Sequence, residues 1–443
     1  MASKPKIVII GGGFGGLWAA KALAKKNVDV ALIDRKNHHV FQPLLYQVAT
    51  AVLSPGEISQ PIRRILQKYK NIEVILGEVV DFDKENNEVI LGDKARVKYD
   101  YLIVAAGACH SYFGHEEWER SAPGLKTLED AVEIRRRVLL AFELAERDAY
   151  LQGEHKQLNF VVVGGGPTGV ELAGAIADIA RQVLANDFKA IDTRKTHVTL
   201  YEGADRVLSA FDKKLSKSAK KQLEDIGVEV KLNSLVTEIE PGRIKVGDDW
   251  VDCDVVLWAS GVKASSLGKK LGVETDKAGR VPIEKDLSLK DHPNIFVIGD
   301  MASLKQENGD PVPGVSPAAM QMGTQAAKNI LNDIAGRSRE DFKYWDKGTM
   351  ATIGRSKAIA QLGALKLSGF FAWCMWLFLH VFFLIGFRNR LAVMSDWFWA
   401  YVTRERSARL ITGDAEDMRE GVEFIQAARL KKNTKKADDN DKI

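Results

Sequence analysis

Cysteine is scarce in this chain. Its 443 residues hold three, Cys109, Cys253 and Cys374, far apart and without a C-x-x-C or any longer paired spacing. That pattern excludes a dithiol redox centre and a cysteine zinc site, and it reads as three small, partly buried apolar side chains in a reducing compartment. The eight histidines show no ligand spacing either, so no metal site is expected. No basic tract is interleaved with aromatics, which sets nucleic acid aside. The formal charge of +4 suits an anionic cofactor or a membrane surface instead. Met1-Ala2-Ser3-Lys4-Pro5-Lys6 runs straight into an apolar strand-like run, leaving no room for a signal peptide, so the nucleotide domains are expected to face the cytoplasm.

Glycine, by contrast, is concentrated where it matters. Gly11-Gly12-Gly13-Phe14-Gly15-Gly16 and Gly164-Gly165-Gly166-Pro167-Thr168-Gly169 each follow a β-branched run, 6–10 and 159–163, and each opens a helix-like stretch. In such a turn the first glycine makes the tight bend, the second lets a pyrophosphate approach the main chain, and the third lets helix pack on strand. The phosphates then sit at a helix N-terminus, where free N–H groups favour negative charge. One chain is therefore expected to hold two dinucleotides.

A carboxylate at the end of the following strand should accept hydrogen bonds from an adenosine ribose. Asp34 stands there in the first copy at the usual spacing; Glu202 does so in the second after a longer stretch, explained if residues 170–196 form an extended helix and loop. An acid at this place repels a 2′-phosphate, so the second site should prefer NADH to NADPH, with Arg206 tempering that preference.

Further on, residues 37–50 show neither helical nor strand period and read as a loop of flat and amide side chains. Residues 101–108 form a buried strand ending in small residues at Gly107, paralleled by 254–261 ending at Gly261, which suggests two similar modules with the second inserted into the first. Residues 294–300 form a late strand of the first module with Asp300 at its carboxyl end, where open α/β sheets bind ligands. The stretch 320–331 reads as a helix, with Gln321 and Gln325 four apart and hence on one face.

These residues carry a resemblance. The two fingerprints, the late Gly-Asp strand, the 37–47 segment, the Gln321 and Gln325 pair and the aromatic segment ending at Arg390 resemble the type II NADH:quinone oxidoreductases. These are single-subunit, non-proton-pumping respiratory dehydrogenases of the two-dinucleotide-domain flavoprotein superfamily. The resemblance implies an α/β fold of two Rossmann-like domains, the second inserted in the first, plus a C-terminal membrane-associating helical region. It implies a FAD-binding domain in residues 1–115 and 271–335, a connecting helical segment 116–152 and an NADH-binding domain 153–270. A membrane-attachment and quinone-access region would follow in 336–414, then a mobile charged tail in 415–443. Gly11, Gly13, Gly16, Asp34, Gln47, Gly107 and Asp300 would contact FAD, and Gly164, Gly166, Gly169, Glu202 and Gly261 NADH. Glu171, just after the second fingerprint and expected in the first helical turn, would face flavin and nicotinamide; the plainer alternative is an acid complementing the helix dipole. Gln321 and Gln325 would bond a quinone carbonyl, with Met320 standing where the family has alanine, and Lys357 is a weaker candidate for supplying charge or a proton.

The one long hydrophobic run is 369–387, nineteen residues with His380 as its only strongly polar side chain. As a helix it would approach the roughly 30 Å of a bilayer's hydrocarbon, so a span and an interfacial placement are both open by length. Residues 391–402 are too short to span and carry Trp397, Trp399, Tyr401 and Asp396, which suits an interface. With the basic flank Arg404, Arg406 and Arg409 and the family's amphipathic helices, the resemblance favours peripheral attachment through residues 369–409 on the cytoplasmic side of the inner membrane. A homodimer is left open. The resulting expectation is a ping-pong transfer of electrons from NADH through FAD to a membrane quinone without proton pumping. A ferredoxin or rubredoxin reductase type of enzyme, or a flavin sensor without turnover, are the alternatives; sulfide:quinone and disulfide reductases need the redox cysteines that are missing.

Overall fold

The computed structural model describes residues 4–403, 405–406, 408–413 and 422. Residues 1–3, Arg404, Ser407 and the charged tail from residue 414 on, residue 422 apart, lie outside the described residues. The chain divides into two compact units, one of residues 1–40, 59–109 and 262–347, the other of 41–58, 110–261 and 348 onward. Each holds one glycine fingerprint.

In the first unit five parallel strands stand in the order Ile295–Val297, Tyr101–Val104, Lys6–Ile10, Asp29–Asp34 and Ile72–Leu76. The central strand is a near-continuous β-branched run, and Ile7, Val8 and Ile9 are wholly buried, as a strand covered on both faces requires. Helices Phe14–Leu23 and Ser316–Ile334 pack on one another. They approach to backbone contact, because a Cβ on Gly323 would lie 2.2 Å from the Gly15 carbonyl oxygen.

The second unit repeats the plan with four parallel strands, Val228–Lys231, His197–Tyr201, Asn159–Val163 and Val255–Trp258 in that order. Its long helix Leu128–Gln152 starts at a capping box, with the Asp130 N–H donating to Thr127 Oγ1 and the Thr127 N–H to Asp130 Oδ2, and ends at Gly153 in the left-handed region. Helix Pro167–Asp178 lies on strand Thr349–Gly354, the first of a three-stranded antiparallel sheet completed by Lys357–Leu362 and Leu365–Ser368. That contact admits no side chain at Gly174, whose Cβ would fall 1.7 Å from the Ile353 carbonyl oxygen.

Two local expectations are corrected. Residues 37–50 are not an unstructured loop: His38–Val40 pairs antiparallel with Ser59–Pro61, Gln42–Leu44 makes a 3-10 turn, and Leu45–Ala49 is a short helix. Leu44 through Ala49 are all buried, and an element buried all round shows no amphipathic period to read. The run 369–387 is also not one helix. It is helical over Phe370–Phe383, turns at Leu384 into extended backbone, passes through Gly386 at φ +94°, and a second helix runs from Phe387–Thr403. Fourteen residues reach only about 21 Å, and no described helix is long and apolar enough to cross a membrane.

Candidate active site

The two fingerprints have the same geometry. In the first, Gly11 sits at φ +96°, and a Cβ on Gly16 would lie 1.9 Å from the Gly11 carbonyl oxygen. In the second, Gly164 sits at φ +109° and a Cβ on Gly169 would lie 1.8 Å from the Gly164 carbonyl oxygen. Only glycine allows either turn to close. The middle glycines differ in kind: nothing stands within 4 Å of a Cβ placed on Gly13 or Gly166, so their freedom serves a group that approaches from outside. Each is the residue before a helix, at whose start no described side chain caps and no acid stands in the first turn. The N–H groups of each helix start fit a pyrophosphate.

The strand-end acids are held alike. Asp34 accepts from the Gly12 N–H at 2.5 Å and the Lys36 N–H at 2.7 Å; Glu202 accepts from the Gly165 N–H at 2.5 Å and the Ala204 N–H at 2.7 Å. Each carboxylate is thereby fixed beside its own turn. The His39 ring bonds the Gly12 carbonyl through Nδ1 at 2.9 Å, leaves Nε2 buried without a described partner, and burial lowers its pKa to about 4. It is a neutral group under the first turn. Gly107, at φ +68°, borders open space, and Asp300 lies on the turn Gly299–Met301 that follows the edge strand Ile295–Val297. Gly261 follows strand Val255–Trp258 in the second unit.

The second unit also contains a cavity of about 1330 Å³, mainly apolar, which the sequence did not reveal. Its walls include Tyr46, Gln47, Glu171, Trp376, Trp397 and Arg406, drawn from segments hundreds of residues apart. Glu171 stands one turn beyond the start of helix Pro167–Asp178, not in its first turn, which weakens the helix-dipole reading. Burial pushes its carboxyl up to about 8 against the opposing pull of the Thr352 N–H, so at neutral pH it is mostly a neutral acid. Gln47 is clamped: its Oε1 accepts from Trp397 Nε1 at 2.7 Å and its Nε2 donates to Tyr46 Oη at 2.8 Å. Burial and then the neighbouring Glu171 raise the Tyr46 phenol well above its ordinary value. Trp376 stacks on His380 with ring centres 3.9 Å apart, and burial lowers the His380 pKa to about 4. Arg406, almost fully enclosed, donates to the Thr50 carbonyl at 2.7 Å and to Asp178.

Other expected residues fall elsewhere. Gln321 exchanges two 3.0 Å hydrogen bonds with the Trp345 backbone, and Gln325 donates to Asn329 Oδ1 at 3.2 Å, all within the first unit. Lys357 pairs at 3.5 Å with Asp225, which lines the cavity. From the sequence alone none of Tyr46, Trp376, Trp397 and Arg406 has a place in this site; Trp397 and Arg406 read there only as interfacial and flanking residues. The only local signal was the proximity of Tyr46 to Gln47.

Two dinucleotide cradles on twin parallel sheets, with a greasy cavity in the second unit, define a flavoprotein oxidoreductase of the two-dinucleotide-domain kind. Residues 5–323 match the pyridine nucleotide-disulphide oxidoreductase family, and residues 346–404 match the NDH2 C-terminal domain. The type II NADH:quinone oxidoreductases Ndh and NdhA of Mycobacterium tuberculosis are 43% and 44% identical to this chain; the alignments cover 92% and 93% of it and 90% of each relative. Among solved structures, NDH2 from Plasmodium falciparum in complex with NADH superposes with a TM-score of 0.83 at 21% identity, over 93% of this chain and all of that one. The sulfide:quinone oxidoreductase of Aquifex aeolicus shares the fold at a TM-score of 0.70 and 19% identity, over 90% and 96%. The chain belongs to the type II NADH:quinone oxidoreductase family. It is an oxidoreductase whose cofactors are FAD and NADH.

Proposed function

We propose that this enzyme transfers electrons from NADH to a membrane quinone in two separate half-reactions, without proton translocation. FAD, when bound, supplies the hydride-accepting and electron-releasing chemistry. On this reading Gly11, Gly13, Gly16, Asp34, Gly107 and Asp300 hold FAD, Gly164, Gly166, Gly169, Glu202 and Gly261 hold NADH, and Gln47 is carried as a cofactor contact on the family resemblance alone. The quinone enters the cavity at Glu171. Reduction of a quinone to a quinol takes up two protons, and Glu171, kept neutral by burial, and the Tyr46 phenol are two proton-bearing groups on the wall. Gln321, Gln325 and Lys357 are proposed as further contacts, on the family resemblance alone.

The observation that carries the proposal is the company this cavity keeps. Helices Phe370–Phe383 and Phe387–Thr403 build one side of it: Phe378, Met394 and Phe398 line the cavity, and Phe371, Phe382, Phe387 and Leu391 are exposed outside its lining. In the second helix Phe387, Leu391, Met394, Phe398 and Val402 recur at helical spacing, making a continuous exposed apolar stripe. Such helices lie in one leaflet and give a hydrophobic quinone a dry path. The ferredoxin-type alternative leaves this stripe unexplained. The test is an anaerobic titration of the purified enzyme, first with NADH and then with a quinone, following flavin absorbance. Bleaching by NADH and recovery on adding quinone are expected; failure to recover would defeat the quinone assignment.

A further inference from the structure

We infer that Phe113 is the contact residue for the nicotinamide half of the dinucleotide bound by the second unit, an inference that rests on the placement of NADH there. The strand order sets the direction. The fingerprint follows the inner strand Asn159–Val163, and Glu202, the acid suited to an adenosine ribose, ends the neighbouring strand His197–Tyr201. Strand Val255–Trp258 lies on the other side of Asn159–Val163. A dinucleotide lying across the carboxyl ends therefore has its adenosine half toward Glu202 and its nicotinamide half toward Trp258 and Gly261.

Phe113 stands at that second end. Its ring meets Trp258 edge-on with centres 6.2 Å apart, and a Cβ on Gly261 would come within 2.8 Å of its Cζ. Glycine at 261 leaves the room that the phenyl ring occupies. The preceding residue behaves oppositely: Tyr112 is buried, stacks on Trp258 at 5.3 Å and donates its hydroxyl to the Ala122 carbonyl at 3.0 Å. Tyr112 anchors the loop in the core, and Phe113 is turned out, 67% exposed.

That outward pose is held against local preference. Phe113 sits at φ +54°, in the left-handed region that bulky residues avoid, and Gly114 follows at +99°. The loop is pinned to the sheet end, with the Ser111 N–H donating to the Gly261 carbonyl at 3.1 Å and Trp258 Nε1 to the Ser111 carbonyl at 2.9 Å. An exposed, strained aromatic on a braced loop beside a ligand edge gains nothing for the core, and such outliers point to ligand contact. A flat phenyl face there offers a planar nicotinamide ring a stacking or edge contact.

The test uses FAD-loaded enzyme and calorimetric titration with NAD⁺ and with ADP-ribose, which lacks the nicotinamide ring. Phe113→Leu is expected to weaken NAD⁺ binding roughly three- to tenfold while leaving ADP-ribose within about twofold, and Phe113→Tyr to restore NAD⁺ binding. Equal weakening of both ligands, or of neither, overturns the assignment of Phe113 to nicotinamide. Glu202→Ala separates the two levels: it should weaken ADP-ribose. If it leaves both ligands untouched, the placement of the dinucleotide fails whatever Phe113 does.

Discussion

Glu171 carries the clearest consequence at the scale of a single residue. Its carboxyl titrates near 8 in the folded enzyme because burial disfavours the charged form, whereas an unfolded glutamate titrates near 4.3. A raised pKa contributes stability that is complete below the unfolded value and is lost as pH climbs through the folded one. Between about pH 5 and 8 the enzyme should therefore lose stability that Glu171→Gln does not lose, a difference of about 2 kcal/mol once solvation from the cavity side is discounted. Thermal unfolding of both proteins across that range reads it directly; parallel curves would mean that Glu171 is not held neutral. The variant should also slow quinone reduction more than flavin reduction, if the acid serves the cavity. The sequence named Glu171 as a residue of interest but could not show its enclosure, which depends on Thr352 and the walls supplied by the C-terminal segment.

Among elements, the attachment of helix Phe387–Thr403 to residues 55–58 should be pH-sensitive. Burial and then the adjoining Asp396 carboxyl push Glu57 up to about 7, although the Ser54 N–H, donating at 2.7 Å, opposes the shift. Asn389 Nδ2 also donates to the Gly56 carbonyl at 3.2 Å, so the helix is tied to this segment at two places. Glu57 thus contributes stability below its unfolded pKa that disappears as pH rises through about 7. Amide exchange in the helix should accelerate between pH 6 and 8, beyond the intrinsic base-catalysed increase, and Glu57→Gln should remove that excess. The effect should be about 1 kcal/mol, since Glu57 is only half-buried. An unchanged excess in the variant would show that the carboxyl pair does not control the helix. The sequence marks Asp396 only as an acid in the interfacial stretch and does not pair it with Glu57, because the two are separated by most of the chain.

For the whole molecule the exposed apolar stripe is, on the proposed reading, what would hold the enzyme at a membrane. Replacing Phe371 and Phe387 together with Asp removes two phenyl rings, both outside the cavity lining, that each contribute about 1.5–3 kcal/mol when buried in an apolar phase. Co-sedimentation with phospholipid vesicles should fall at least tenfold, while NADH oxidation by a water-soluble electron acceptor stays close to the parent enzyme. Retained vesicle binding would locate the attachment elsewhere. The run 369–387 left a span and an interfacial placement equally open by length, and the break at Gly386 was invisible because hydrophobicity records how greasy a segment is and not where its helix stops.

By itself the sequence determined the two nucleotide units. Their signals are local: each glycine turn closes against its own neighbours, and each acid sits at the end of the next strand, so Gly11 to Asp34 and Gly164 to Glu202 are written within a few tens of residues. Tertiary structure decided the cavity. Tyr46 and Gln47, Glu171, and Trp376, Trp397 and Arg406 come from three distant stretches, and no periodicity or spacing joins them. What joins them is the packing of helix Pro167–Asp178 on strand Thr349–Gly354 and the seating of the terminal helices. These are long-range contacts whose energy comes from burying apolar surface, a force without direction or sequence register.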